Sequence, residues 1–420
     1  MKKSNSSITV KADLPAYGGF SLARGKGAVL LIKNAVPGET VEARIEEHKH
    51  DHAFASVIRV LAASPDRVEP SCPVFGLCGG CQLQYISYPR QVKIKEEILS
   101  DCLGRIAKKH VEMSNAFIGT SPWNYRYRGQ FKVGKGSFGF YREKTRDVID
   151  FDYCPIMSTQ VNSLFSKARE VYISARALFE GISEFHISCG DTGLAFLKST
   201  TKISTARWNQ IAMLLLEVGF GGVSGTSGNG KSVSFGNEHM TLELEGLKYS
   251  VSARSFFQSN WELNKTLVRY ILTSMQPLAK KRVIDLYSGA GNFSLPFASN
   301  GADVYAIEEN QEAVSDGKRN ARLNNIRNCR FIECPAERLK VCDTVDILIV
   351  DPPRPGLSNT ALDKILVLEP ERIAYISCNP STLARDIKKL LGLYELESVR
   401  IIDFFPQTYH IESLAVLKLR

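Results

Sequence analysis

Between Arg282 and Ser377 the chain alternates short, almost wholly apolar runs with stretches of helical spacing. The runs are Arg282-Val-Ile-Asp-Leu286, Asp303-Val-Tyr-Ala-Ile307, Val345-Asp-Ile-Leu-Ile-Val350 and Ile373-Ala-Tyr-Ile-Ser377. A strand with one wet face alternates apolar and polar residues, whereas near-continuous apolar strands belong to a parallel sheet covered by helices on both faces. The pattern predicts a Rossmann-like α/β domain over residues 256–420. Ligands of such sheets gather at the carboxyl ends of the strands.

The rest of the chain reads differently. Residues 7–63 carry short alternating bursts, Val41-Glu-Ala-Arg-Ile45 and Ala53-Phe-Ala-Ser-Val-Ile58, punctuated by Gly18-Gly19 and Pro37-Gly38, which predicts a small antiparallel, OB-like β-barrel over 1–65. Residues 66–255 read as a central α+β domain with helices near 160–180 and 206–217. The glycine and serine cluster Gly221 to Gly230 reads as a flexible loop. A helix over 89–110, with Val92, Ile94, Ile98 and Leu103 at helical spacing, links domains or packs on the catalytic one.

A formal charge of +9, from 53 basic and 44 acidic residues, favours a polyanionic partner. The amino terminus lacks an apolar stretch behind its lysines, and no run reaches the roughly 18 apolar residues of a membrane span. A cytoplasmic, monomeric protein is expected. Its ten cysteines are then reduced, and clustered ones are metal ligands or nucleophiles rather than disulfides.

Strand ends carry the chemistry. The run ending at Leu286 continues as Tyr287-Ser-Gly-Ala-Gly-Asn-Phe293, where glycines let the backbone approach a ligand at a helix start, and Glu308 after the next strand suits ribose hydroxyls. Ser294 stands where a dinucleotide fingerprint has glycine, which argues against NAD; Asp285 and Glu308 together suit S-adenosylmethionine. Val350 delivers Asp351-Pro-Pro-Arg-Pro-Gly356, and Ser377 delivers Cys378-Asn-Pro380. Adjacent strands lie roughly 5 Å apart, so thiol and carboxylate share a pocket. The last strands, Val399–Phe405 and Leu414–Leu419, form a hairpin whose turn brings Glu412 to the same mouth. A thiolate that adds to C6 of uracil makes C5 nucleophilic, and a base must then take the C5 proton.

The segments DLYSGAGNF (285–293), DPPRPG (351–356), SCNP (377–380) and HIE (410–412) together resemble the RNA 5-methyluridine methyltransferases that act on 23S rRNA and the tRNA T-loop. The resemblance covers essentially the whole chain. It implies a class I methyltransferase fold, an N-terminal TRAM domain, Cys378 as nucleophile and Glu412 as base. It also implies that Gln258, Tyr287, Asn292, Glu308 and Asp351 line the cofactor and base pocket. Glu333-Cys-Pro-Ala-Glu337 departs from the expected adenine-contacting segment. Cytosine-C5 enzymes would have a cysteine in the loop of Asp351, and none is present. A non-catalytic RNA-binding Fe–S protein is the alternative of a different class.

Cys72-x5-Cys78-x2-Cys81 with the distant Cys154 fits zinc or an Fe–S cluster equally by spacing. The resemblance to the 23S rRNA members implies [4Fe–4S]. Cys102, Cys189, Cys329, Cys334 and Cys342 are taken as core or surface thiols. Tyr125-Arg-Tyr-Arg128 reads as an RNA-facing strand with Arg126 and Arg128 on one side. Phe256 and Phe257 are candidates for stabilising an extruded base, or core residues.

Overall fold

The structure is a computed structural model that describes residues 7–25, 28–134, 136–339 and 344–420; Cys342 lies outside them. The first strands are β1 (Ser7–Lys11), β2 (Leu14–Ala16), β3 (Phe20–Gly25), β4 (Ala28–Lys33), β5 (Thr40–His48) and β6 (His52–Ala62). They form one sheet in the order β1-β5-β6-β4-β3-β2. Alternation sets its inner face: Val41 and Ala43 are buried between Glu42 and Arg44, over a small core with Leu30, Ile32 and Ala55. The expected closed antiparallel barrel is corrected in two ways. β4 and β6 pair in parallel, and among the described residues β1 and β2 are the two ends of the sheet. The sheet curls until β3 packs on β1: a Cβ on Gly25 would come within 3.1 Å of Ile8 and Val10.

Helix α1 (Tyr88–Cys102) follows, extended by a wide turn over Leu103–Ala107 and stopped by Lys108 in the left-handed conformation. Its Ile94, Ile98 and Leu99 share one core with Leu383, Ile387 and Leu390 of the C-terminal region. The helix thus belongs structurally to the far end of the chain.

Next come β7 (Arg128–Gly134), β8 (Ser137–Tyr141), β9 (Val148–Asp150), α2 (Thr159–Ser174), β10 (Ile182–Cys189), β11 (Gly193–Ser199), α3 (Thr205–Glu217), β12 (Gly222–Thr226) and β13 (Ser232–Gly236). Their sheet runs β13-β12-β11-β10-β7-β8-β9 over a core in which Phe131 stacks on Phe165 at 4.3 Å. Half of the loop expected over Gly221–Gly230 is strand β12. Its glycines are there for space: a Cβ at Gly222 would sit 1.8 Å from the Asn237 carbonyl, and one at Gly225 2.4 Å from the Trp208 ring. A hairpin of β14 (His239–Leu244) and β15 (Leu247–Ser252) leads onward.

The C-terminal region contains α4 (Trp261–Ser274), β16 (Arg282–Leu286), α5 (Ser294–Ser299), β17 (Asp303–Glu308), α6 (Gln311–Leu323), β18 (Cys329–Glu333), β19 (Ile347–Val350), α7 (Asn359–Leu368), β20 (Arg372–Ser377), α8 (Pro380–Leu390), β21 (Tyr394–Ile402) and β22 (Glu412–Leu419). Its sheet runs β18-β17-β16-β19-β20-β22-β21, parallel except for β22, with a separate apolar core on each face. Among the described residues no helix is long and apolar enough to cross a membrane.

Candidate active site

Register decides what meets at the carboxyl edge of this sheet. Val350 lies opposite both Leu286 and Tyr375, so β16, β19 and β20 end nearly level and release Tyr287, Asp351 and Cys378 on one side. Ser413 of β22 lies opposite Ser377. Glu412 and Cys378 are therefore the next residues outward on two neighbouring strands.

Beside this edge lies a cavity of about 480 Å³ lined by Tyr287, Glu308, Cys334, Ala336, Glu337 and Pro353, among others. Tyr287 turns the chain with φ 62°, and Gly291 has φ 93° where a Cβ would come within 2.9 Å of Leu295 and Phe331. The Glu308 carboxylate accepts the backbone N–H of Gly289 at 3.0 Å and that of Asn310 at 2.8 Å, which fixes it before any ligand arrives. Asp285 is different: it is fully buried, accepts the Ser294 hydroxyl and does not line the cavity. Burial pushes its carboxyl up to about 7. The segment in doubt from sequence, Cys334 to Glu337, forms a wall of the cavity, with the Cys334 N–H bonded to the Glu308 carbonyl at 3.1 Å.

Of the five expected cofactor residues, Tyr287 and Glu308 line this cavity, and Gln258, Asn292 and Asp351 do not. Asn292 exchanges amide hydrogen bonds with Asn264 at 2.8 and 3.0 Å. Gln258 precedes Ser259, whose carbonyl accepts the Tyr127 N–H, and Asn260, which caps α4 and donates to the Phe404 carbonyl.

At the reacting edge burial dominates the electrostatics. It pushes the Cys378 thiol up to about 11, with Glu412 and Asp351 adding to the rise and Arg354 opposing it. Burial and then Asp351 push Glu412 up to about 8, against Arg354 and Lys95. Burial takes Asp351 to about 6. His410 moves the other way, to about 4, because burial and then Arg354, Lys95 and Arg126 disfavour its cation. The site thus holds a thiol and two carboxyls whose protons are all retained more tightly than in water.

Two loops carry these groups, and both are tied down. Asn379 caps α8 and donates to the Arg354 carbonyl at 3.3 Å, joining the Cys378 loop to the Asp351 loop. Asp386 accepts the Tyr375 hydroxyl at 2.7 Å and the Leu357 N–H at 2.9 Å, which anchors the far side of the proline-rich turn. The segment before Glu412 is held by α1. Lys95 meets Asp403 at 2.6 Å with both side chains buried, and Gln91 exchanges hydrogen bonds with Gln407. Tyr125 donates to the Pro406 carbonyl at 3.0 Å, and the N–H groups of Gln82 and Leu83 donate to Gln407.

Lys95, Gln91 and Arg354 were missed in the sequence reading. Arg354 stood inside a quoted motif, but Lys95 and Gln91 show only as polar positions on a helix. Their partners lie more than 300 residues downstream.

Cys72, Cys78, Cys81 and Cys154 come together as walls of one cavity of about 200 Å³, with Phe140, Phe151 and Arg126. Burial raises all four thiols, Cys81 to about 11 and Cys154 to about 12. Among the described residues no three His, Cys, Asp or Glu stand close enough to hold one metal ion.

The two expected RNA-facing arginines have different neighbours. Arg126 faces that cavity from before β7, while Arg128 starts β7 and donates to the Ser255 carbonyl at 3.0 Å; the Nε of each is buried without a partner among the described residues. Phe256 is 75% exposed, and Phe257 is core against Trp261.

The family model described as tRNA (Uracil-5-)-methyltransferase matches residues 87–420. An uncharacterized RNA methyltransferase of Aquifex aeolicus is 36% identical, over 96% of each chain. The 23S rRNA (uracil(1939)-C(5))-methyltransferase RlmD of Shewanella amazonensis is 32% identical, over 100% of this chain and 97% of that protein. Among solved structures, the tRNA (uracil-54, C5)-methyltransferase of Pyrococcus abyssi, in complex with S-adenosyl-L-homocysteine, matches with TM-score 0.77 and 25% identity over 97% of this chain and 99% of its own. With the family matched over most of its length, this chain belongs to the RNA uracil-C5 methyltransferases and is an S-adenosylmethionine-dependent enzyme that methylates C5 of uridine in RNA.

Proposed function

We propose that the target is a uridine of 23S rRNA and that the reaction runs through a covalent bond between Cys378 and C6 of the base. The observation that carries this reading is the register of β20 and β22, which makes Cys378 and Glu412 outward neighbours beside the cofactor cleft. S-adenosylmethionine supplies an electrophilic methyl on a sulfonium. The Cys378 thiol gives its proton to water and the thiolate adds to C6; the electron pair displaced to C5 takes the methyl, and S-adenosyl-L-homocysteine is the leaving group. Glu412 then removes the C5 proton, the C5–C6 double bond re-forms, and the Cys378 thiolate leaves. Asp351 stands beside both and is assigned to the uracil edge or the cofactor. Gln258, Tyr287, Asn292 and Glu308 are assigned to cofactor binding.

Support for 23S rRNA comes from the Shewanella relative, which is named for that RNA and aligned over this whole chain. The division 1–65, 66–255 and 256–420 goes with it, as TRAM-like barrel, Fe–S and RNA-binding domain, and catalytic domain. Cys72, Cys78, Cys81 and Cys154 are assigned to a [4Fe–4S] cluster with a structural or RNA-facing role. Four thiols around a largely apolar cavity suit such a cluster, whose ligands stand farther apart than those of a single ion. Arg126, Arg128 and Phe256 are assigned to RNA, and the enzyme acts as a monomer.

A 23S rRNA fragment and a tRNA T-arm, each carrying 5-fluorouridine at the target, test the reading on denaturing gels. The fluorine cannot leave as a cation, so the wild type should trap the rRNA fragment. Cys378→Ala should trap neither; Glu412→Gln should methylate ordinary uridine and then stay attached. Trapping of the T-arm alone would move the substrate to tRNA, and an adduct from Cys378→Ala would remove the thiol from its role. Anaerobically purified protein should contain iron and sulfide. Stoichiometric zinc would overturn the cluster.

A further inference from the structure

The N-terminal sheet brings Tyr17 near the reacting centre. Tyr17, on the turn between β2 and β3, lies 5.7 Å from the ring of Tyr409 at 81°, and Tyr409 lies 4.5 Å from His410, two residues before Glu412. The turn is seated closely: Gly18 and Gly19 have φ of 94° and 80°, and a Cβ on Gly19 would come to 3.3 Å from Gln82 and 3.5 Å from Tyr409. Yet Tyr17 itself is 44% exposed. Tyr409 packs against both Tyr17 and His410, so the aromatic surface left open here is that of Tyr17 itself. The phenol also feels the charges of Arg354, Cys378 and Glu412, and burial with Tyr409 keeps its proton on. None of the chemical steps above uses it.

Methylation at C5 requires the uridine to leave its stack, which strips the neighbouring base of a partner. A neutral aromatic ring at the mouth replaces that partner without regard to base identity. We propose that Tyr17, backed by Tyr409, stacks on the nucleobase adjacent to the extruded uridine. The N-terminal sheet then supplies part of the mouth itself rather than a remote RNA tether. The proposal rests on the uridine-C5 reading, and a core-packing role is opposed by the exposure of the ring.

The test is kcat/KM for methyl transfer to whichever of the two RNAs the wild type methylates, intact or with the base on either side of the target replaced by an abasic site. On intact RNA, Tyr17→Ala should lose about tenfold and Tyr17→Phe should stay within about twofold of wild type, with S-adenosylmethionine affinity unchanged in both. Removing the stacked neighbour should cost the wild type a similar factor and Tyr17→Ala little more. A Tyr17→Ala enzyme at wild-type kcat/KM, or one losing the same factor on every abasic RNA, would overturn the stacking role. A wild type that methylates neither RNA would instead strike at the uridine reading.

Discussion

Glu412 must be ionised to take the C5 proton, yet its carboxyl is held up to about 8 by burial and by Asp351. Release of the adduct should therefore accelerate as pH rises through about 8 in single-turnover chases, while RNA binding need not follow. Arg354→Ala removes a charge that lowers this value, so its release profile should move to higher pH; an unmoved midpoint would take Arg354 out of the electrostatics. The same shift bears on stability. A carboxyl whose folded value exceeds its unfolded 4.5 favours the fold fully below that pH and loses the contribution as pH rises through about 8. Glu412→Gln should accordingly melt higher than wild type above about pH 8, by a few degrees, and the gap should close below about pH 5. A constant gap across that range would point to packing instead.

Helix α1 is legible from its apolar spacing, but its polar face holds the segment that carries Glu412. Lys95 and Asp403 are both buried, so removing one leaves the other charged and unpaired at a cost of about 3–5 kcal/mol. Lys95→Met should destabilise by that order in urea titrations. Lys95→Met with Asp403→Leu should recover most of the loss and still release RNA slowly, because the turn has lost one of its anchors. Full recovery of release would reduce the pair to a structural one. Strand β12 shows the opposite failure of reading: glycines that look like flexibility are there because the Asn237 carbonyl and the Trp208 ring occupy the space of a side chain. Gly225→Ala should cost about 1–3 kcal/mol of stability, measured the same way.

Across the whole molecule, the excess of nine positive charges favours RNA, and affinity should fall steeply with salt. Phe256, exposed beside the Arg128 bond to Ser255, should contribute a stacking surface. Phe256→Ala should weaken RNA binding about fivefold or more in filter-binding titrations and leave cofactor affinity unchanged; unchanged RNA affinity would return it to the bare surface. The α/β domain and the edge holding Asp351 and Cys378 were legible because apolar period and strand-end loops are local properties of the chain. The grouping of Cys72, Cys78 and Cys81 was legible as spacing, and Tyr287 and Glu308 as a turn and a strand end. Only the tertiary structure decided that β22 inserts beside β20, that the N-terminal sheet pairs β4 with β6 in parallel and brings Tyr17 to Tyr409, and that Lys95 faces Asp403. The Tyr17 and Lys95 contacts join residues hundreds of positions apart and the β20–β22 pairing spans 36 at Ser377 and Ser413, and their geometry is set by packing between elements, to which no local pattern of residues responds.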